Sequence, residues 1–180
     1  MKKGRQSKGK EIRPTFFVFC EGETEEAYVA FLRSEYRVPI VIDTKVAGNR
    51  ITEKYIANYK QRKSIHEKDI TFLMYDCDVP EIVDKLQKIK KVTLLLSNPC
   101  FELWYLLHFQ NQTAELTKRE CEEKLNKYTK QYKKGLLCEN IKDKILKNQD
   151  KTIERAKSLT GFENPSTNIY VLAEKLSARR

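Results

Sequence analysis

The sequence lacks any hydrophobic run long enough to cross a membrane, because about 18 consecutive apolar residues occur nowhere in it. Its charged first ten residues, MKKGRQSKGK, are not followed by the apolar stretch that a signal peptide needs. These two absences predict a cytoplasmic protein with no membrane partner.

Cysteine pairs with metal-ligand spacing are also missing. The chain has five cysteines, an odd number, and no two of them form a C-x-x-C pair. This pattern indicates neither a disulfide framework nor a zinc knuckle. We expect small buried thiols instead, since free cysteine is among the most buried residue types.

Positive charge is what the sequence has in excess. Its 35 Lys and Arg residues against 25 Asp and Glu residues leave a formal charge of +10. The excess is greatest in residues 1–15, with six basic residues and one acid, and in residues 118–157, with thirteen basic residues and seven acids. Such regions attract polyanions, so a nucleic acid is the expected partner. A surface whose charge serves only solubility is the alternative.

The first two thirds of the chain alternate short apolar runs with amphipathic segments. This alternation is typical of an α/β fold with a mostly parallel sheet. Four strands are predicted, over residues 15–20, 38–46, 70–75 and 92–96. Helices are predicted from Thr24, where Thr24 can act as cap, over residues 52–64 and over residues 80–89. Gly48 and Asn49 are expected to form the turn after the second strand.

No strand is predicted after Leu96. Residues 101–109 are apolar nearly all round, which predicts a buried helix with Trp104 and His108 in structural roles. Lysine-rich helices follow, including one over residues 140–160 that Gly161 ends, and a turn over residues 164–168 precedes a last helix over 169–176. We therefore expect a basic tail (1–14), an α/β core (15–110) and a helical extension (111–180) packing on that core.

Acidic residues follow two of the predicted strands. Glu21 comes directly after the first strand, and Asp76 and Asp78 come directly after the third. Because ligands of open parallel sheets bind at the carboxyl ends of the strands, these carboxylates should meet at one edge. Their repulsion would be relieved by Mg²⁺ or Mn²⁺, which prefer oxygen ligands. The sequence therefore predicts a metal site at Glu21, Asp76 and Asp78.

Four segments together resemble the RloB family. They are Glu21-Gly-Glu-Thr-Glu, Tyr75-Asp76-Cys77-Asp78, Ser97-Asn98-Pro99-Cys100-Phe101-Glu102 and Asn164-Pro165-Ser166-Thr167. The resemblance extends from about Phe16 to Leu176. That family is similar to Toprim-type nucleases, and its members often accompany restriction-modification or other phage-defence genes. A sensor or ATPase partner encoded nearby is therefore expected.

The resemblance implies roles for the acids. Glu21 matches the Toprim glutamate, which acts as general acid or base or as a metal ligand, while Asp76 and Asp78 match the metal-binding pair. Glu25 matches a second acid of the motif. Where some Toprim sites have a further acid, this chain has Pro80, and Glu102 can replace it if Asn98 caps and Pro99 starts the following helix.

Substrate contacts are predicted from two sources. The resemblance places the late Asn-Pro-Ser-Thr turn near the site, although its residues can equally serve as a helix cap. Lysines of the predicted long helix should contact phosphates without reading sequence. The predicted contacts are Asn98, Asn164, Ser166, Thr167, Lys142, Lys144, Lys147 and Lys151.

These features together predict a Mg²⁺-dependent endonuclease. RNA, in particular transfer RNA, is the expected substrate by analogy with Toprim-like defence effectors. Two other classes stay open: a metal-dependent nucleotidyltransferase or phosphotransferase, and a nucleic-acid-binding subunit without activity. The first is disfavoured because neither G-x-x-x-x-G-K-[ST] nor G-x-G-x-x-G occurs.

Overall fold

A five-stranded sheet forms the centre of the molecule, in a computed structural model that describes residues 14–43, 50–129 and 132–178. The strand order is β2-β1-β3-β4-β5, with four parallel strands and an antiparallel edge strand. The strands are β1 (Phe16–Cys20), β2 (Ile40–Asp43), β3 (Ile70–Asp76), β4 (Thr93–Asn98) and β5 (Ser166–Thr167). The predicted α/β fold with a mostly parallel sheet is confirmed. The predicted number of strands is one too few.

Seven helices surround this sheet in the described part of the chain. They are α1 (Glu23–Tyr36), α2 (Glu53–Gln61), α3 (Pro80–Gln87), α4 (Glu102–Phe109), α5 (Lys118–Thr129), α6 (Glu139–Lys157) and α7 (Tyr170–Ser177). None of the described helices is long and apolar enough to cross a membrane. The predicted turn at Gly48 and Asn49, and the last part of the predicted second strand, lie outside the described residues.

Apolar residues line both faces of the central strands, as expected for parallel strands covered by helices on both sides. In β1, Phe16 and Val18 belong to one hydrophobic cluster, while Phe17 and Phe19 belong to another. The first cluster also contains residues of α1 and of α4 to α7, and the second is completed by α2 and α3. The helical extension therefore shares a hydrophobic core with one face of the sheet.

Helix α4 is buried along almost its whole length, which explains why its sequence is apolar on every side. Trp104 and His108 are fully buried, as predicted, and their rings meet edge to face at 4.9 Å. His108 Nδ1 lies 2.8 Å from the carbonyl oxygen of Trp104, to which it can donate. Burial lowers the pKa of His108 to about 4, so the ring is neutral near pH 7.

Ser166 and Thr167 of the late Asn-Pro-Ser-Thr segment form β5 after a bend at Asn164 and Pro165, so the prediction that no strand follows Leu96 was wrong. Ser166 and Thr167 pair with the end of β4 in antiparallel register. After β5, the side-chain amide of Asn168 takes over the pairing with β4. It accepts a hydrogen bond from Leu96 N (2.6 Å) and donates one to Leu94 O (2.9 Å). A side-chain amide has the same donor and acceptor as a peptide group, which explains this substitution.

Three predicted helix boundaries also differ from the structure. Helix α4 begins at Glu102 rather than Pro99, and Asn98 is not its cap. Helix α1 begins at Glu23 with Gly22 at the N-cap position, so Thr24 lies inside the helix and does not cap it. Helix α6 ends at Lys157, before the predicted end at Gly161.

Candidate functional site

Acidic side chains meet where β1, β3 and β4 end. Glu21 follows β1, and its Oε2 accepts a hydrogen bond of 2.9 Å from the backbone N–H of Asp76, the last residue of β3. The backbone N–H of Glu21 donates in turn to Met74 O at 3.0 Å. The parallel pairing of β1 with β3 thus brings together two acids that are 55 positions apart.

A cavity of about 310 Å³ opens at this edge of the sheet. Its lining consists of Glu21, Gly22, Glu23, Thr24, Glu25, Asp76, Glu102 and Lys134, and we call it the acidic cavity. Glu25 comes from the first turn of α1 and Glu102 from the first turn of α4. Both are almost fully buried, with 6% and 4% of their surfaces exposed. Asp78 does not line this cavity, although it lies two residues from Asp76.

The carboxylate of Glu102 is held by two hydroxyl groups. Its Oε1 accepts a hydrogen bond of 2.7 Å from the Tyr132 hydroxyl and one of 3.3 Å from Thr24 Oγ1. Thr24 lies in α1 and Tyr132 between α5 and α6, so Glu102 connects three parts of the molecule. These bonds satisfy part of the hydrogen-bonding capacity of a buried carboxylate.

Glu25 packs closely against the start of its own helix. A Cβ atom added at Gly22 would lie 3.2 Å from Glu25 Oε2, which is tighter than ordinary van der Waals contact. Glycine at this position therefore lets the carboxylate approach the backbone. The first turn of a helix favours negative charge, which partly offsets the cost of burying this acid.

Burial dominates the protonation of the acids in this cavity. Together with the charges of Asp76, Glu102 and Glu21, it raises the pKa of Glu25 from its ordinary value of 4.5 to about 8. Burial also raises the pKa of Asp76 to about 6, against the effect of Lys118. Acids with raised pKa values in a cavity are candidates for proton transfer or cation binding. Without a bound cation, Glu25 holds a proton at neutral pH.

Lys118 bridges the two aspartates of the D-x-D motif. Its ammonium nitrogen lies 3.0 Å from Asp76 Oδ2 and 3.0 Å from Asp78 Oδ2. The other oxygen of Asp76 accepts a hydrogen bond of 2.9 Å from the backbone N–H of Phe101. Burial opposes the charge of Lys118, but the hydrogen bonds and charges of the two aspartates raise its pKa above the ordinary value. An ammonium group therefore already offsets part of the negative charge of this pair.

Lys118 was not among the predicted site residues, although a sequence signal for its position exists. Residues Thr117 to Glu120 read T-K-R-E and form a capping box at the start of α5. Glu120 Oε2 accepts from Thr117 N at 2.7 Å, and Thr117 Oγ1 accepts from Glu120 N at 3.2 Å. The motif marks where α5 begins. Only the tertiary structure shows that this point lies over Asp76 and Asp78.

A second lysine from the extension faces the acids. Lys134 lines the acidic cavity, and its ammonium group pairs with Glu122 at 2.9 Å. It precedes Gly135, which has a left-handed backbone (φ 74°) and where an added Cβ atom would lie 3.0 Å from the side chain of Glu23. No basic residue lies between Glu21 and Glu26 in the sequence. Lys134 of the extension brings a positive charge to the cavity that this acidic segment lines.

The donor chemistry of these residues fits a hard divalent cation. Among the described residues, no three Asp, Glu, His or Cys side chains are arranged to hold a metal ion. Mg²⁺ commonly needs only one or two carboxylates, with waters and substrate oxygens as its other ligands. Glu21, Asp76 and Asp78 supply such oxygens, but Lys118 now occupies the position between the two aspartates. The metal site remains a prediction that requires Lys118 to move.

The predicted substrate contacts near the sheet edge have internal partners. Asn98 Nδ2 donates to Phe162 O at 2.9 Å, and the hydroxyl groups of Thr167 and Ser97 lie 2.8 Å apart. Ser166 and Thr167 are both buried. Asn98 also lines an open groove of about 600 Å³, together with Asp78, Lys118 and Asn164. Direct contact with substrate stays a prediction for all of these residues.

Asn164 positions the segment that leads into α5. Its Oδ1 accepts a hydrogen bond of 3.2 Å from Leu116 N, and its Nδ2 donates one of 2.8 Å to Leu116 O. Leu116 lies two residues before Lys118 and is buried. Asn164 therefore helps to place Lys118, which explains how a late turn can affect the site without touching the acids.

The four predicted phosphate-binding lysines of α6 do not share one surface. Lys144, Lys147 and Lys151 are spaced by three and four residues, so they lie on one face of the helix. Lys142 lies two residues before Lys144 and points to another face, where it pairs with Glu139 at 2.7 Å. None of the four lines the acidic cavity. Their role in substrate binding stays a prediction.

The fold and the site together define an α/β protein with an acidic centre at the carboxyl edge of its sheet and basic residues around that centre. The model of one protein family, described as RloB-like protein, matches residues 16–176. The chain therefore belongs to the RloB-like family. A comparison with curated proteins found no match, and neither did a comparison with solved structures.

Proposed function

We propose that this protein is a divalent-metal-dependent endonuclease that hydrolyses phosphodiester bonds, with RNA as its preferred substrate. The observation that carries the proposal is the 2.9 Å hydrogen bond between Glu21 and the backbone of Asp76. It places the glutamate after β1 beside the D-x-D motif after β3. Nearby carboxylates that can hold a metal ion against a phosphate are what phosphodiester hydrolysis requires.

Each acid then has a distinct role. Asp76 and Asp78, with Glu21, would hold a Mg²⁺ or Mn²⁺ ion, which when bound polarises the phosphodiester and stabilises the leaving oxygen. Glu21 is also suited to accept a proton from the attacking water. Glu25, whose pKa burial raises to about 8 in the metal-free protein, is the acid that would donate a proton to the leaving group. Glu102 is fixed by Tyr132 and Thr24 beside them.

The basic surface supports a nucleic-acid substrate. A formal charge of +10 favours association with any polyphosphate, and the lysines on one face of α6 can contact its backbone. The preference for RNA, and a role in phage defence beside a sensor partner, rest on the resemblance to Toprim-like defence effectors. These parts of the proposal come from analogy with the family rather than from geometry.

The proposal is tested by incubating the purified protein, or cells that express it beside its neighbouring genes, with Mg²⁺ and sequencing RNA ends. We expect discrete cuts. Glu21→Gln keeps the size of the side chain and removes its basicity, so it should reduce the rate by about 10²-fold or more. The matched control is Glu67→Gln, which neutralises an exposed glutamate before β3 and should leave the rate unchanged.

A second variant separates metal binding from catalysis. Asp76→Asn with Asp78→Asn should abolish the rise in melting temperature that Mg²⁺ causes, since a ligand that binds only the folded state stabilises it. Asp84→Asn, at an exposed position in α3, serves as control. If the double variant binds Mg²⁺ like the parent, the metal assignment is wrong. If neither RNA nor DNA is cut under any activating condition, a nucleotidyltransferase or a nucleic-acid-binding subunit becomes the favoured function.

A further inference from the structure

The position of Lys118 is not explained by the stability of α5. Lys118 is the first residue of that helix, where a positive charge opposes the helix dipole. The start of the helix is already satisfied by the capping box of Thr117 and Glu120. The interactions that favour a lysine here are its two ion pairs with Asp76 and Asp78.

A divalent ion on the D-x-D motif would need the same oxygens. The ammonium nitrogen is 3.0 Å from one Oδ2 on each aspartate, so it lies between the two carboxylates. An ion coordinated by both oxygens would occupy nearly the same position. Two cations cannot share that position, because their repulsion at such short range would be severe.

An open groove beside Lys118 can hold its side chain after displacement. The side chain of Lys118 is 42% exposed and lines the open groove of about 600 Å³ that Asn98, Asn164, Glu115 and Glu120 also line. The long flexible stem of lysine allows its ammonium group to swing into this groove while α5 stays in place. Lysine binds phosphate as a point charge, so a phosphate of a bound nucleic acid is a suitable new partner.

We propose that Lys118 competes with the divalent ion for Asp76 and Asp78, and that the ion displaces Lys118 into the groove to bind a substrate phosphate. This inference rests on the proposed function, because it assumes a metal ion on the D-x-D motif. It makes Lys118 a residue that couples metal binding to substrate binding. Substrate that holds Lys118 in the groove would in turn favour the metal ion, since such coupling is reciprocal.

Calorimetric titration with Mn²⁺ tests the competition. Lys118→Met removes the ammonium group but keeps most of the stem, so Mn²⁺ should bind roughly tenfold more tightly than to the parent. Lys118→Arg keeps a cation beside the aspartates and should not show this gain. Arg119→Met is the matched control, because it removes one charge from the next residue, whose partner is the exposed Glu123. A folded state is verified for each variant by its thermal melting curve.

Binding of a fluorescent phosphorothioate RNA, which resists hydrolysis, tests in proteins that keep Glu21 whether the displaced Lys118 binds a substrate phosphate. Mn²⁺ should raise the RNA affinity of a protein that contains Lys118, and this rise should shrink at least severalfold in Lys118→Met but not in Arg119→Met. Equal Mn²⁺ affinities in Lys118→Met, Arg119→Met and the parent would overturn the competition. If Mn²⁺ raises the RNA affinity equally in the parent and in Lys118→Met, the displaced Lys118 does not bind a substrate phosphate.

These outcomes are distinguishable from failure of the proposed function. If Lys118→Met binds Mn²⁺ more tightly but no nucleic acid is ever cut by the parent, only the proposed nuclease activity is wrong. If RNA is cut and Lys118→Met binds Mn²⁺ no better than the parent, only the role of Lys118 is wrong. If none of the proteins binds Mn²⁺, both proposals fail.

Discussion

At the scale of single residues, Glu25 makes the stability of the metal-free protein depend on pH. Its pKa is about 8 in the folded state against an ordinary value of 4.5, so the folded state binds the proton more tightly than the unfolded state does. The resulting stability is fully present below about pH 4.5 and is lost as the pH rises towards 8. Asp76 adds the same trend between its ordinary value of 3.8 and about pH 6.

We therefore expect the free energy of unfolding without metal to fall between pH 5 and pH 8, by on the order of 3 kcal/mol from Glu25. Urea unfolding at a series of pH values, in the presence of a chelator, measures this. Glu25→Gln cannot ionise and should flatten most of the dependence. Glu26→Gln, on the same helix turn but exposed, is the matched control. An unchanged pH profile in Glu25→Gln would show that Glu25 titrates normally.

At the scale of secondary-structure elements, Asn164 connects the β5 region to the start of α5. Asn164→Ala would remove both hydrogen bonds to Leu116. The backbone N–H and C=O groups of Leu116 would then be unsatisfied near the core. We expect a loss of about 1–3 kcal/mol in the free energy of unfolding, measured by urea denaturation. Asn140→Ala removes a longer, exposed bond to Tyr128 O and should cost less.

The same variant tests how Lys118 is positioned. Because Leu116 lies two residues before Lys118, Asn164→Ala should also disturb the ion pairs with Asp76 and Asp78. If Asn164 contacted substrate directly instead, the variant would lower RNA affinity while leaving the free energy of unfolding unchanged. That result would support the sequence-based assignment of Asn164 to substrate binding.

Helix α6 supplies a prediction about nucleic-acid binding. Lys144, Lys147 and Lys151 share one face of the helix, so replacing all three with Gln should weaken binding to RNA and DNA alike. The slope of log affinity against log salt should decrease by about 1 for each lysine that contacts a phosphate. Fluorescence anisotropy over a series of salt concentrations measures both quantities.

A triple replacement with the same change in charge controls for long-range attraction. It uses exposed lysines on the α2 and α3 side of the molecule, namely Lys54, Lys68 and Lys88. If both triple variants lose affinity equally, the lysines act through the net electrostatic field of the molecule, and the α6 lysines make no specific phosphate contacts. If neither loses affinity, the charge serves solubility alone.

At the scale of the whole molecule, the core and the extension are predicted to be inseparable. Buried residues of the extension lie in the same hydrophobic cluster as Phe16 and Phe72 of the sheet: Leu116, Leu125, Ile141, Ile145, Ile169, Leu172 and Leu176. Each buried aliphatic side chain contributes about 1.5–3 kcal/mol. Their sum is comparable with the whole stability of a typical domain, about 5–15 kcal/mol.

A chain that ends at Gln110 should therefore fail to fold, because the apolar surface of α4 would be exposed to water. Circular dichroism and a thermal melting curve of this fragment provide the measurement. A chain that begins at Pro14 is the control, since it keeps every contact that the structure describes. A cooperative melting transition in the chain that ends at Gln110 would instead establish that the α/β core is an independent domain.

The sequence by itself determined β1 and β2 and most of β3 and β4, because apolar runs bounded by Pro, Gly or charged residues are local features. It also placed Glu21, Asp76 and Asp78 at the strand ends, since the carboxyl ends of parallel strands share one edge. The burial of Trp104 and His108 followed from a helix that is apolar on all sides. In each case the relevant information lies within about ten neighbouring residues.

Only the tertiary structure decided which residues neutralise and enclose these acids. Lys118 meets Asp76 across 42 positions, and Glu102 receives its hydrogen bond from Tyr132 across 30 positions. Strand β5 is two residues long and exists because β4 offers it an edge. The raised pKa of Glu25 results from burial and from the charges of Asp76 and Glu102, which are distant in the chain. Such contacts depend on how helices and sheet pack together, and no local pattern in the sequence encodes them.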